Sequence, residues 1–225
     1  MVKLLTTSLT IAFLFLAISA SVVFPEDGMA DKNRDIPLSI LYDKLGLDKM
    51  LEFSIFKRAA EGVEEYEFSN NRFLTIIDYT KASDKKRLFV IDLDQQKVLF
   101  NTLVAHGKNS GVHYVTDFSN ESCSLMSSQG FYRTAETYTG KHGYSLRLDG
   151  LEEGINDQAR ERLIVIHGAH YVSDAFIKKH GRIGRSWGCP ALPPHLSKEV
   201  IDLIKGGSCL YIHGDDDPVM KEISQ

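Results

Sequence analysis

Phe73-Leu74-Thr75-Ile76-Ile77-Asp78-Tyr79, followed by Arg87-Leu88-Phe89-Val90-Ile91-Asp92-Leu93 and Val98-Leu99-Phe100-Asn101-Thr102-Leu103-Val104, decides the fold class of this chain. Each run is short and rich in β-branched and aromatic residues. Polar turns such as Lys81-Ala82-Ser83-Asp84 and Asp94-Gln95-Gln96 separate the runs. Short apolar runs between turn signals read as strands, because helical patterns need greater length. Gly130 to Thr139, Ser145 to Leu148, Leu163 to Ile166 and Leu210-Tyr211-Ile212 continue the series, with helical patterns only at Ser173 to Lys179 and Leu196 to Lys205. Many short strands with few helices predict a mainly β (α+β) domain, a sandwich or barrel, over residues 71–214.

Upstream the period is helical. Ile36, Ile40, Leu41 and Leu45 recur at near-helical spacing, and Pro37 is tolerated there in a first turn. Beyond a break at Gly46, Leu47, Met50, Leu51, Phe53, Ile55, Phe56 and Ala60 continue the pattern, with Asp48 as the expected cap of a second helix. Residues 31–70 are therefore read as a helical arm packed on the β domain. Residues 1–24 stand apart: Lys3 precedes an apolar stretch, Leu4 to Phe24, with small residues at Ala17, Ser19 and Ala20. This is a cleavable signal peptide or an uncleaved signal anchor, and either places the body outside the cytoplasm. The membrane enters only through that possible anchor. Asp215-Asp216-Asp217 opens an acidic tail, residues 215–225.

Composition narrows the function. With 25% charged and 43% apolar residues among 225, the chain is an ordinary folded protein, and a net charge of -4 gives no nucleic-acid signature. There are three cysteines: Cys123, Cys189 and Cys209. In an oxidising compartment an odd count leaves one thiol free or paired between chains. Cys209 sits in an apolar run and reads as a buried strand residue; whether it pairs with Cys123 stays open.

The spare thiol is expected to be Cys189, in Gly184-Arg185-Ser186-Trp187-Gly188-Cys189-Pro190, downstream of Ile166-His167-Gly168. A thiol in a rigid glycine–proline turn and a histidine at the end of a strand are what cysteine acyl transfer needs in a nucleophile and a base. Backbone N–H groups of Gly188 and Cys189 are candidate oxyanion donors, and Gly188 would let a substrate approach without a Cβ in the way. His170 is a rival base. His142, in Gly140-Lys141-His142-Gly143, either lines the same cleft or caps a turn. His167, His170 and Cys189 could supply three zinc ligands, but no Cys-x-x-Cys or carboxylate motif accompanies them, so no metal is assigned. Between Arg160 and Gly188 six basic residues (Arg160, Arg162, Lys178, Lys179, Arg182, Arg185) face two acidic ones (Glu161, Asp174). Such a cationic wall would suit a substrate bearing carboxylates and would depress the thiol pKa.

These residues resemble the active-site signature of the L,D-transpeptidases of the YkuD-like superfamily, in which His-Gly precedes Ser-x-Gly-Cys. The match is to the murein L,D-transpeptidase catalytic-domain branch carrying Gly-Arg-Ser-Trp-Gly-Cys-Pro-Ala. It extends through Tyr138 to Leu148, Gly150-Leu151, Asn156, Ala159-Arg160 and His167-Gly168-Ala169, and covers roughly Leu74 to Ile212. The resemblance implies a β catalytic domain acting on peptidoglycan stem peptides in the periplasm or cell envelope, without metal or cofactor. Cys189 would form a thioacyl-enzyme with a tetrapeptide stem, releasing D-alanine, and an amine acceptor would resolve it as a 3–3 cross-link. His167 would be the base, Ser186 would orient the histidine or the loop, and Gly188 would shape the oxyanion pocket. Tyr138, Lys141, Tyr144, Arg147 and Arg185 are the expected substrate contacts. Resolution by water, giving an L,D-carboxypeptidase, and a noncatalytic cell-wall binding module are the alternatives. Two departures stand out. Trp187 replaces the histidine common between serine and glycine in the superfamily, and Ala191 replaces an arginine or asparagine.

Overall fold

The computed structural model describes residues 36–215. The signal or anchor segment, residues 1–24, and the acidic tail beyond Asp215 lie outside the described residues. Eight strands form one sheet: β1 (Phe73–Asp78), β2 (Leu88–Asp92), β3 (Lys97–Thr102), β4 (Gly130–Gly140), β5 (Gly143–Gly150), β6 (Val165–Gly168), β7 (Ala191–Leu192) and β8 (Cys209–His213). Their order is β3-β2-β1-β8-β4-β5-β6-β7. Pairing is antiparallel except at β1/β8 and β6/β7. The sheet curls until its last strand meets the segment after β3: the Ala105 N–H donates to the Ala191 carbonyl at 2.8 Å. That contact leaves few open edges and makes the sheet a nearly closed barrel.

The three runs that predicted strands are strands, and their period-2 alternation has a physical reason. Ile77, Leu88, Val90, Leu210 and Ile212 face the barrel interior, where α4 (Pro194–Ile204) buries Val200, Ile201 and Ile204. Leu74, Ile76, Phe89, Ile91, Cys209 and Tyr211 face the other side, against α1 (Leu38–Lys44) and α2 (Phe53–Glu65). Both faces of β1, β2 and β8 are buried, so these strands read as unbroken apolar runs. The helical arm is the cover of the outer face. Ile55, Phe56 and Ala59 recur on one side of α2, and each large side chain buried there contributes about 1.5–3 kcal/mol. Asp48 does not cap α2 as expected: it lies in the preceding turn, and Glu52 is the N-cap, with no side-chain bond.

Candidate active site

Register places the chemistry. In the parallel pair β6/β7, His167 lies opposite Ala191 and Gly168 opposite Leu192. Continuing that register back by two residues brings Cys189 beside Val165, and residues two apart in a strand share a face. The thiol and the imidazole therefore open into one groove of about 450 Å³, lined by Tyr138, Lys141, His142, Arg162, Leu163, Val165, His167, Tyr171, Arg185, Ser186, Trp187 and Cys189.

The loop that carries Cys189 is held from within. The Ser186 hydroxyl donates to the Cys189 carbonyl at 2.6 Å and accepts from the Gly188 N–H at 3.1 Å. Ser186 thus ties the loop to itself. Gly188 is required by its backbone: φ is +117°, and a Cβ would sit 2.6 Å from the Met126 carbonyl. This corrects two expectations. The Gly188 N–H is engaged by Ser186 and is not a free oxyanion donor. Its missing side chain makes room for the protein's own Met126 rather than for substrate.

The loop also rests on the chain after β3. Ser186 N–H donates to the His106 carbonyl at 2.9 Å, and Lys108 N–H to the Ser186 carbonyl at 2.8 Å. Beneath lies a fully buried guanidinium. Arg87 donates to Val104 and Lys81 carbonyls and meets His106 Nδ1 at 2.8 Å. Burial and the Arg87 charge push the His106 pKa down to about 3, so this imidazole is neutral and accepts from Arg87. No sequence signal marked this support, because an arginine opening an apolar run gives no hint of the distant carbonyls and imidazole it will meet.

Cys189 is half-buried, and its thiol donates to the Leu163 carbonyl at 3.6 Å. Leu163, expected to begin a strand, has φ +58° and precedes β6, which turns that carbonyl toward the sulfur. Burial pushes the thiol pKa up; the Val165 N–H, the Arg162 charge and the Cys189 N–H pull the other way without prevailing. The expected lowering by a cationic wall is thus reversed, because desolvation outweighs the one nearby cation that acts on the sulfur. His167 is buried, and burial, partly offset by its bond to the Gly168 carbonyl, lowers its pKa, with His142 adding to the effect. Its Nδ1 lies 3.0 Å from that carbonyl, which fixes Nδ1 as the donor and leaves Nε2 as the basic atom. The resting pair is a neutral thiol and a neutral imidazole.

The structure sorts the other candidates. Tyr138, Lys141 and Arg185 line the groove. Arg185 also ties the groove to the Lys108–Gly111 loop, donating to both of those carbonyls at 2.7 and 2.8 Å. Tyr144 and Arg147 lie outside the lining. Tyr144 donates to Asp202 at 2.7 Å, and Arg147 pairs with Glu136 while covering the Tyr138 ring at 4.6 Å. Being bonded away from the groove, neither is placed as a substrate contact. Of the six cations counted from the sequence, Arg162 and Arg185 reach the groove. Arg160 is bound by Asp149 and Glu136, and Lys178 and Lys179 are exposed on α3 (Asp174–His180). His170 is exposed in the turn after β6 and is absent from the lining, so neither the rival base nor the zinc trio is assembled. His142 does both things the sequence allowed: it sits in the β4–β5 turn and lines the groove. All three cysteines are free; Cys209 is buried in β8 and Cys123 is exposed.

A buried imidazole with a defined tautomer and a half-buried thiol, opening into one groove with cations in its lining, form an arrangement that cysteine acyl chemistry can use. The chain belongs to the L,D-transpeptidase catalytic domain family, which it matches over residues 47–213. That match begins within the helical arm, earlier than the resemblance in the sequence. Comparison with curated proteins gives no match. Among solved structures, an L,D-transpeptidase from Mycobacterium smegmatis is 13% identical with a TM-score of 0.39, covering 64% of this chain and 59% of its own. An L,D-transpeptidase from Stackebrandtia nassauensis is 15% identical at 0.38, covering 80% and 77%. The helical cell shape determining protein Pgp2 from Campylobacter jejuni is 12% identical at 0.43, covering 72% and 56%. The chain thus spans about three-fifths of the length of the first of these, and at such scores membership rests on the family match. Among the described residues no helix is long and apolar enough to cross a membrane.

Proposed function

We propose that this protein is a peptidoglycan L,D-transpeptidase acting in the periplasm or cell envelope. The observation that supports the reading is the shared groove: Cys189 and His167 open into it together, with Lys141, Arg162 and Arg185 around them and no carboxylate in its lining. Cations without acids suit a stem peptide that bears free carboxylates.

Because the thiol is protonated at rest, attack needs a base in the step itself. His167 Nε2 takes the thiol proton as sulfur bonds to the scissile carbonyl carbon. The Val165 and Cys189 N–H groups, both directed at the sulfur, steady the charge as it develops. Collapse breaks the C–N bond, and His167 returns the proton to the departing D-alanine amine. An acceptor amine then attacks the thioester and gives its proton to His167, which passes it to the departing Cys189 sulfur, leaving a new amide bond, a 3–3 cross-link, and the resting pair. Incubation of the purified protein with disaccharide-tetrapeptide tests this. Cross-linked dimers are the expected product. Tripeptide alone would replace the reading with an L,D-carboxypeptidase, and unchanged substrate would point to a noncatalytic binding module.

A further inference from the structure

The β4–β5 hairpin delivers a second imidazole to the first. Ser145 lies opposite His167 in the β5/β6 pair, and the hairpin closes at Gly140↔Gly143, so the turn residue His142 reaches back over the base. The two rings stack with centroids 4.4 Å apart and planes within 27°. His142 is exposed, whereas His167 is buried, so His142 forms the solvent-side cover of the base.

We propose that His142 is a positioning residue for the general base: it clamps the His167 ring face-on and screens it from solvent. This rests on the reading of His167 as base. One hydrogen bond, Nδ1 to the Gly168 carbonyl, leaves the His167 ring free to tilt about that bond, and a parallel ring removes the freedom. The titratable and charged groups that line the groove with the pair bear on the base. They are Lys141 in the same turn, Tyr138 on β4, Arg162 before β6, Tyr171 after it, and Arg185 and Cys189 from the loop before β7. Three are cations and none is a carboxylate, so nothing in the lining favours an imidazolium at His167. Burial, partly offset by the bond to the Gly168 carbonyl, lowers the His167 pKa, and the neighbouring His142 adds to the lowering.

The test follows the His167 resonance by NMR in full-length Cys189→Ala protein, alone and combined with His142→Ala or His142→Phe. Carbapenem acylation is measured across pH in the Cys189 background. His142→Ala should raise the His167 pKa by on the order of half to one unit and move the acid limb of acylation to higher pH. It should also slow acylation at neutral pH by about tenfold. His142→Phe keeps an aromatic ring on the stack but removes the second imidazole. It should recover the neutral-pH rate to within about twofold of wild type and leave the His167 pKa between the other two. An unmoved His167 titration in His142→Ala, or equal acylation in Ala and Phe variants, overturns the proposal. A wild type that never acylates overturns the proposed function instead, and the titration still decides the coupling.

Discussion

The two sides of the sheet are built on opposite terms. On the β1–β2–β8 side every strand residue is buried, and the helices α1 and α2 seal the outer face with apolar side chains. On the β6–β7 side the strands shrink to four and two residues, and loops hold the chain by side-chain-to-backbone bonds from Ser186, Arg185 and Arg162. Large apolar residues are left in water there: Trp187 is 70% exposed and Leu163 63%. The first side spends its sequence on packing and the second on placing a few polar atoms. Stability and chemistry should accordingly respond to different substitutions.

The sharpest break comes from the chemistry side. Cys189→Ala should abolish acylation, and His167→Ala should slow it by about 10²–10⁴-fold, with little change in melting temperature. Gly188→Ala comes next. A side chain at φ +117° pressed on the Met126 carbonyl must shift the turn, and a displacement near 1 Å costs about 10²-fold in rate. On the packing side Phe56→Ala, fully buried beneath α2, should lose about 3–5 kcal/mol of stability in denaturant unfolding. The folded fraction should keep its acylation rate; a proportionate loss of rate would erase the division. The smallest effect belongs to Tyr144→Phe, which removes a partly exposed bond to Asp202 outside the groove. It should cost about 1 kcal/mol or less and leave kcat/KM unchanged.

The pH dependence sharpens the same contrast. A thiol whose pKa is raised by burial ionises unaided only above the ordinary cysteine range, so alkylation of Cys189 by a small reagent in the resting enzyme should climb with pH through a midpoint above that of a free cysteine. A midpoint below it would mean a thiolate–imidazolium pair, and His167 would then be an acid at rest.

How much was legible follows the same boundary. Phe73–Tyr79 and Arg87–Leu93 disclosed strands because burial on both faces leaves no polar alternation to confuse the period. Gly188, Cys189 and His167 were legible as a motif. Yet the occupied N–H of Gly188 was not, because its partner, the Ser186 hydroxyl, is fixed by loop geometry that no periodicity records. Tyr144 and Arg147, expected as substrate contacts from the resemblance, are instead bonded to Asp202 and Glu136, partners that no local sequence pattern names. The expected fall in thiol pKa failed because a count of cations along the chain ignores depth. Arg160 is bound by carboxylates and two lysines are exposed, while burial acts on the sulfur directly.

The proposed nucleophile is Cys189, half-buried in the groove that it shares with a neutral His167. The most direct measurement is intact-mass analysis with peptide mapping after incubation with a carbapenem, run on wild type and on Cys189→Ala. One adduct mapped to Cys189 in wild type, and none in Cys189→Ala, is the predicted result. An adduct on the exposed Cys123, or persisting in Cys189→Ala, would contradict it.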